Sequence, residues 1–165
     1  MKSDWQDSGF HKGHADITAG IKRLETYIVE LPAFYKLFSE EQLVLKPDQE
    51  KWSHKEVLGH LIDSALNNLR RFTEIQFSPA PYIIVSYNQN ELVRVNHYQD
   101  LPLDHLLELW ESLNQQIVFV VKQIPSEKLE APVNPQYDNN EMKSLNWVVC
   151  DYVAHMEHHL KQLKP

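Results

Sequence analysis

The chain has 165 residues, with 16 Lys and Arg against 23 Asp and Glu for a formal charge of −7, nine histidines and one cysteine. A lone cysteine excludes an internal disulfide, a Cys-rich zinc module and iron–sulfur ligation by this chain by itself. The acidic balance excludes the basic footprint of a nucleic-acid or anionic-membrane binder, whose phosphates attract clustered Lys and Arg.

The length suits one domain over 1–165, able to remove roughly 70% of its unfolded surface from water. Residues 1–13 are expected to be a flexible N-terminal segment. No apolar run approaches the ~20 residues of a membrane-spanning helix. The opening MKSDWQDSGFHK lacks the apolar core of a signal peptide, so a cytoplasmic location is expected. Four glycines leave little room for the tight turns of an all-β fold, and proline does the punctuating.

The first predicted helix runs from about His14 to Ser39, with Ile17, Ile21, Leu24, Ile28 and Leu31 on one face. Pro32 removes a backbone donor and predicts a kink or break. The second starts at Ser53, where Glu56 completes a capping box, and carries Val57, Leu58, Leu61, Ile62, Ala65, Leu69 and Phe72 towards Pro79. Segment 77–102 is too long for a plain hairpin and predicts a functional crossover or a short helix around Gln89–Val95. The third helix follows Pro102 and runs from Leu103 to Ile124, where Pro125 stops it. Segment 126–143 is polar and reads as an exposed loop. The fourth begins near Ser144 and carries Leu145, Val148, Val149, Tyr152, Met156, Leu160 and Leu163. Four such stripes predict an all-α four-helix bundle with a long crossover between its second and third helices.

The fourth helix reads DYVAHMEHHLKQL. His155 and His159, four residues apart, lie about 40° apart around a helix, so one helix can offer two imidazoles to one metal ion. They sit on the shoulder of the buried stripe, and His158 turns further towards solvent. The competing reading is a surface histidine cluster that favours the negative end of the helix dipole. A third ligand would come from another helix, and His60 is the candidate, on a line with Ser64, Asn67 and Arg71. Such a line is either a solvated face or the wall of a polar cavity. Asp63, Asn67, Asp151 and Glu157 are candidates to orient the imidazoles. Arg71 could hold a substrate or thiol carboxylate, and Tyr87 and Tyr152 could orient a substrate, with core packing the favoured role for Tyr152. Cys150 lies about 140° around the helix from His155 and reads as a buried, inert thiol. Trp52, Trp110 and Trp147 read as core or staple residues. His11, His14, His54, His97 and His105 have no partner at ligand spacing and are expected in solvent.

KWSHKEVLGHLIDS, with its Trp-Ser helix start and His-Leu-x-Asp, together with DYVAHMEHHLKQL far downstream, resembles the DinB-like superfamily, which is unrelated to the DNA polymerase of that name. Tyr87-Asn88-Gln89 further resembles its YfiT-like branch, although the branch pattern carries Asp where this chain has Asn88. The resemblance spans roughly 15–163. It implies a four-helix bundle, often a homodimer, with a divalent metal on His60, His155 and His159. Three imidazoles leave an ion such as zinc or nickel with an open position, which suits catalysis. Such an ion activates water or holds a thiolate. The resemblance implies both: hydrolases, and S-transferases that use mycothiol, bacillithiol or glutathione on a small-molecule substrate. The rival reading is a non-catalytic, metal-stabilised stress-response or binding module.

Overall fold

In the computed structural model of the chain, which describes residues 16–136 and 141–163, helix starts and stops follow local chemistry. Segment 1–13, with His11, and likewise His14, lie outside the described residues. Asp16 accepts the backbone N–H groups of Thr18 and Ala19 and opens helix α1 (Ile17–Tyr35). Ile21, Leu24, Ile28 and Leu31 form its buried face, as the spacing predicts. Pro32 does not break α1. The hydrogen-bond ladder resumes one turn later, where Lys36 N–H donates to the Pro32 carbonyl at 3.2 Å, and the fully buried Tyr35 ring anchors the last turn. The predicted extension to Ser39 is corrected, because Ser39 caps a separate short helix, α2 (Glu40–Val44), in a capping box with Gln42.

Helix α3 (His54–Glu74) begins at the predicted box: Ser53 Oγ accepts Glu56 N–H, and Glu56 accepts Ser53 N–H at 2.9 Å. The crossover contains strand β1 (Tyr82–Ile83), helix α4 (Gln89–Val95) at the predicted place, and a 3₁₀ turn over Tyr98–Asp100. Asn88 is the cap of α4, its side chain accepting Glu91 N–H at 3.2 Å. Helix α5 (Leu103–Lys122) follows Pro102, and helix α6 (Leu145–Gln162) follows Ser144, whose hydroxyl accepts Trp147 N–H. The expected exposed loop over 126–143 is also corrected. It carries strands β2 (Pro132–Asn134) and β3 (Lys143–Ser144), with β2 parallel to β1 and antiparallel to β3, and Val133 is fully buried in the core.

Helices α1 and α3 each pack against both α5 and α6, which makes the bundle. Arg23 on α1 pairs with Glu157 on α6 at 2.8 Å, and Lys122 on α5 pairs with Glu25 on α1. Trp110, Leu24, Leu58, Phe72 and Ile117 fill the centre. Helix α3 departs from a simple amphipathic helix: every residue from Lys55 to Ala65 is buried, because α2, α4 and the 3₁₀ turn cover the side that α5 and α6 do not. Among the described residues no helix is long and apolar enough to cross a membrane.

Tyr98 clamps this cover onto α3. Its hydroxyl donates to Asp63 Oδ1 at 2.6 Å, and its ring lies where a side chain on Gly59 would go, with Cδ2 only 2.0 Å from the position of a Cβ. Gly59→Ala is therefore expected to cost about 1–3 kcal/mol in denaturant unfolding despite alanine's better helix propensity. Gly20→Ala is the control. Its Cβ would meet Cys150 Sγ at 3.9 Å, an ordinary contact, and it is expected to gain up to about 1 kcal/mol. Equal effects of the two changes would contradict this packing.

Candidate metal centre

Helices α3 and α6 meet where each carries histidine. His60 is fully buried on α3, His155 is 8% exposed on α6, and His159 follows one helical turn later, half-buried. The Nε2 atom of His155 lies 3.2 Å from Nε2 of His60 and 3.0 Å from Nε2 of His159. The three ring centroids stand 4.6–5.1 Å apart, with steep angles between the planes. The rings thus converge edge to edge, nitrogen towards nitrogen, instead of stacking face to face.

Burial disfavours the charged form of all three. His60 is pushed down to about 3, first by burial and then by neighbouring His159. His159 is pushed down to about 4 by burial and then His158, and His155 falls well below its ordinary value by burial and then its histidine neighbours. At neutral pH the three are neutral imidazoles, the form that donates a lone pair. Tetrahedral zinc with Zn–N bonds of about 2.0–2.1 Å spaces its nitrogens roughly 3.3 Å apart, close to the separations found here. Among the described residues, His60, His155 and His159 form the cluster able to hold a metal ion. The donor set fits.

The surroundings differ in part from what the sequence suggests. Trp52, expected in a core or staple role, tilts over His60 with centroids 4.7 Å apart and reaches towards His159 at 6.2 Å. It also borders a hollow of about 300 Å³ that reaches Lys46, Lys51, Asn90 and Arg94. Ser64, one turn beyond His60, is fully buried and faces Nδ1 of His155 at 3.4 Å. The polar line on α3 continues through buried Asn68, whereas Asn67 is half-buried and donates to the Asp63 carbonyl at 2.8 Å.

Asp63 receives Tyr98 and Asn96, and Glu157 receives Arg23, so these carboxylates serve packing between elements. Asp151 is half-buried on α6. Arg71 donates to Asn68 Oδ1 at 3.4 Å and to the Val85 carbonyl at 3.2 Å, and its guanidinium lies 5.8 Å from the Tyr87 ring centroid. Tyr152 is core, as expected, hydrogen-bonded to Asn114. Cys150 is half-buried rather than buried, and desolvation pushes its thiol up to about 11, so it stays protonated at neutral pH. His158 turns outward to Gln162, and His97 and His105 are exposed as expected. His54 is corrected to half-buried, its ring 4.6 Å from that of Phe38.

The shifts dictate how the metal-free chain responds to acid. Histidine in the unfolded chain titrates near 6.5, whereas His60 and His159 in the fold titrate near 3 and 4. Between those values the unfolded state binds more protons, so stability is fully present above the unfolded value and is lost as pH falls below it. Denaturant unfolding of metal-free protein is expected to lose up to ~1.4 kcal/mol per pH unit for each histidine kept neutral, from about pH 6.5 down to about pH 4. His159→Gln should flatten the slope. A stability that is level across this window would contradict the burial described.

Residues 23–163 match the model of the DinB superfamily. The chain is 24% identical over 149 residues to a Halalkalibacterium halodurans protein named "Putative metal-dependent hydrolase", covering 90% of this chain and 85% of that one. It is 25% identical over 149 residues to an Oceanobacillus iheyensis protein of the same description, covering 90% and 84%. Its fold matches Bacillus subtilis YfiT, described as a probable metal-dependent hydrolase with an unusual four-helix bundle topology, at a TM-score of 0.78 and 20% identity, over 90% of this chain and 83% of that one. The match to the family model extends over most of the chain and takes in both histidine-bearing helices, so the chain belongs to the DinB superfamily.

Proposed function

We propose that the protein is a divalent-metal-dependent enzyme that turns water or a low-molecular-weight thiol against a small electrophilic substrate, with the ion on His60, His155 and His159. The observation that carries this reading is the convergence of three neutral Nε2 atoms from two helices, 3.0 and 3.2 Å apart about His155. Three protein ligands leave a tetrahedral ion one open position, the arrangement of catalytic rather than structural sites. Zinc and nickel both suit imidazole donors. An ion held there supplies Lewis acidity, which brings the pKa of water down to about 7 or stabilises a thiolate. The relatives' description as metal-dependent hydrolases supports the hydrolytic form.

The chain's own residues divide the remaining work. His60, His155 and His159 stay neutral through burial and present lone pairs to a cation. Trp52 covers His60 on one side and excludes water from it. Tyr87 and Arg71 are the weaker catalytic candidates, because both already hold the crossover against α3. Cys150, protonated and on another side of α6, does not supply the nucleophile. Any thiol chemistry therefore uses a thiol cosubstrate. A single domain over 1–165, a homodimer and a cytoplasmic location complete the reading.

Elemental analysis of purified protein is expected to find about one divalent ion per chain, and His155→Ala and His159→Ala are expected to lose it with the helical circular dichroism kept. Metal retained at the wild-type level in both variants would overturn the site. The metal-loaded protein is expected to cleave activated esters or amides, or to consume an electrophile in the presence of bacillithiol, mycothiol or glutathione. Inactivity with every one of these would leave a metal-stabilised, non-catalytic module as the function.

A further inference from the structure

The three imidazoles are not held alike. Among the described residues, Nδ1 of His60 and Nδ1 of His159 are buried without a hydrogen-bond partner, whereas Nδ1 of His155 faces Ser64 Oγ at 3.4 Å. Ser64 belongs to a directional set of bonds. The Arg71 guanidinium can only donate, and it points at Asn68 Oδ1 at 3.4 Å. That fixes the amide: Asn68 Nδ2 faces Ser64 and donates to its carbonyl at 2.9 Å and to its Oγ at 3.4 Å. A serine hydroxyl offers two lone pairs and one hydrogen. One lone pair of Ser64 receives Asn68. The hydroxyl also meets the Tyr87 phenol. With Nε2 of His155 turned to the other two imidazoles, a proton on its Nδ1 would take the second lone pair of Ser64 and leave the serine hydrogen for Tyr87.

We infer that Ser64, held by Asn68 and Arg71 and completed by Tyr87, is a positioning residue that fixes His155 with its proton on Nδ1 and its bare Nε2 facing His60 and His159. The inference rests on the metal reading above for its purpose, but the protonation it assigns is a property of the metal-free fold as well. A ligand ring held in one tautomer and one orientation binds its ion more tightly, and losing such an outer partner typically weakens metal affinity 10–100-fold. The arrangement also explains why a crossover segment is tied down beside the bundle. Arg71 donates to the Val85 carbonyl at 3.2 Å, two residues before Tyr87, so one side chain both orients the amide and seats the phenol.

The test titrates the full-length chain with Zn²⁺ against a chromophoric chelator and reads the ring nitrogens of His155 by ¹⁵N NMR in metal-free protein. Ser64→Ala is expected to weaken zinc binding about 10–100-fold and to move His155 away from the Nδ1–H form, with helical content unchanged. Tyr87→Phe keeps the ring and removes only the hydroxyl, and a smaller loss in the same direction is expected. Wild-type zinc affinity in a folded Ser64→Ala variant overturns the inference. Should Ser64→Ala not fold, wild-type affinity together with a wild-type His155 spectrum in Tyr87→Phe overturns it. A wild-type chain that takes no zinc overturns the metal reading instead, and the tautomer is then judged by NMR alone: His155 protonated on Nε2 contradicts the assignment.

Discussion

The structure is organised around the burial of three neutral imidazoles that point their Nε2 atoms at one another between α3 and α6. Neutral nitrogens 3.0 and 3.2 Å apart gain little from each other beyond what a proton or a cation between them provides, and each has lost its water. Such a cluster persists only where the rest of the fold holds it. The bundle supplies part of that support: α3 and α6 are each packed against α1 or α5 on other sides as well as against each other. The crossover supplies the remainder, since α4 and the 3₁₀ turn cover the side of α3 that a four-helix bundle leaves open. Gly59, lacking a side chain, lets Tyr98 of that cover approach α3 closely enough to reach Asp63.

The same constraint separates two populations of charge. The carboxylates near the centre are committed to joints between elements, Asp63 to the crossover and Glu157 to Arg23 on α1. Against the imidazoles themselves lie the neutral Trp52 ring, over His60, and the hydroxyl of Ser64, beside His155. A neutral donor set leaves a divalent cation with its full positive charge, whereas ligating carboxylates would cancel part of it. That favours Lewis-acid chemistry on a polarised substrate or nucleophile over passive cation storage.

Much of this was legible in the residues because it is local. Ser53 and Glu56 are three apart and make their box without help from the rest of the chain. His155 and His159 are one turn apart, so their shared side of α6 follows from helix geometry alone. The polar line on the second predicted helix makes His60 a candidate partner and the resemblance singles it out, because no local rule joins residues 95 apart. What could not be read depends on tertiary contacts. Strands β1 and β2 pair across about 50 residues and are two and three residues long, too short to show an alternating pattern. Trp52 and His54 flank the cap of α3, and only packing decides that one covers His60 and the other meets Phe38. Asn67 and Asn68 differ by about 100° on a helix wheel, and only tertiary packing decides that Asn68 is buried and Asn67 half-buried.

The central claim is that three imidazole nitrogens, and no fourth protein atom, hold one divalent ion. X-ray absorption at the metal edge of the purified, metal-loaded protein addresses it directly. The account predicts a first shell of three imidazole nitrogens at about 2.0–2.1 Å plus a light-atom ligand that exchanges when a soluble thiol is added and is replaced by sulfur at about 2.3 Å. A closed shell of four protein ligands, unchanged by added thiol or substrate analogue, would contradict it.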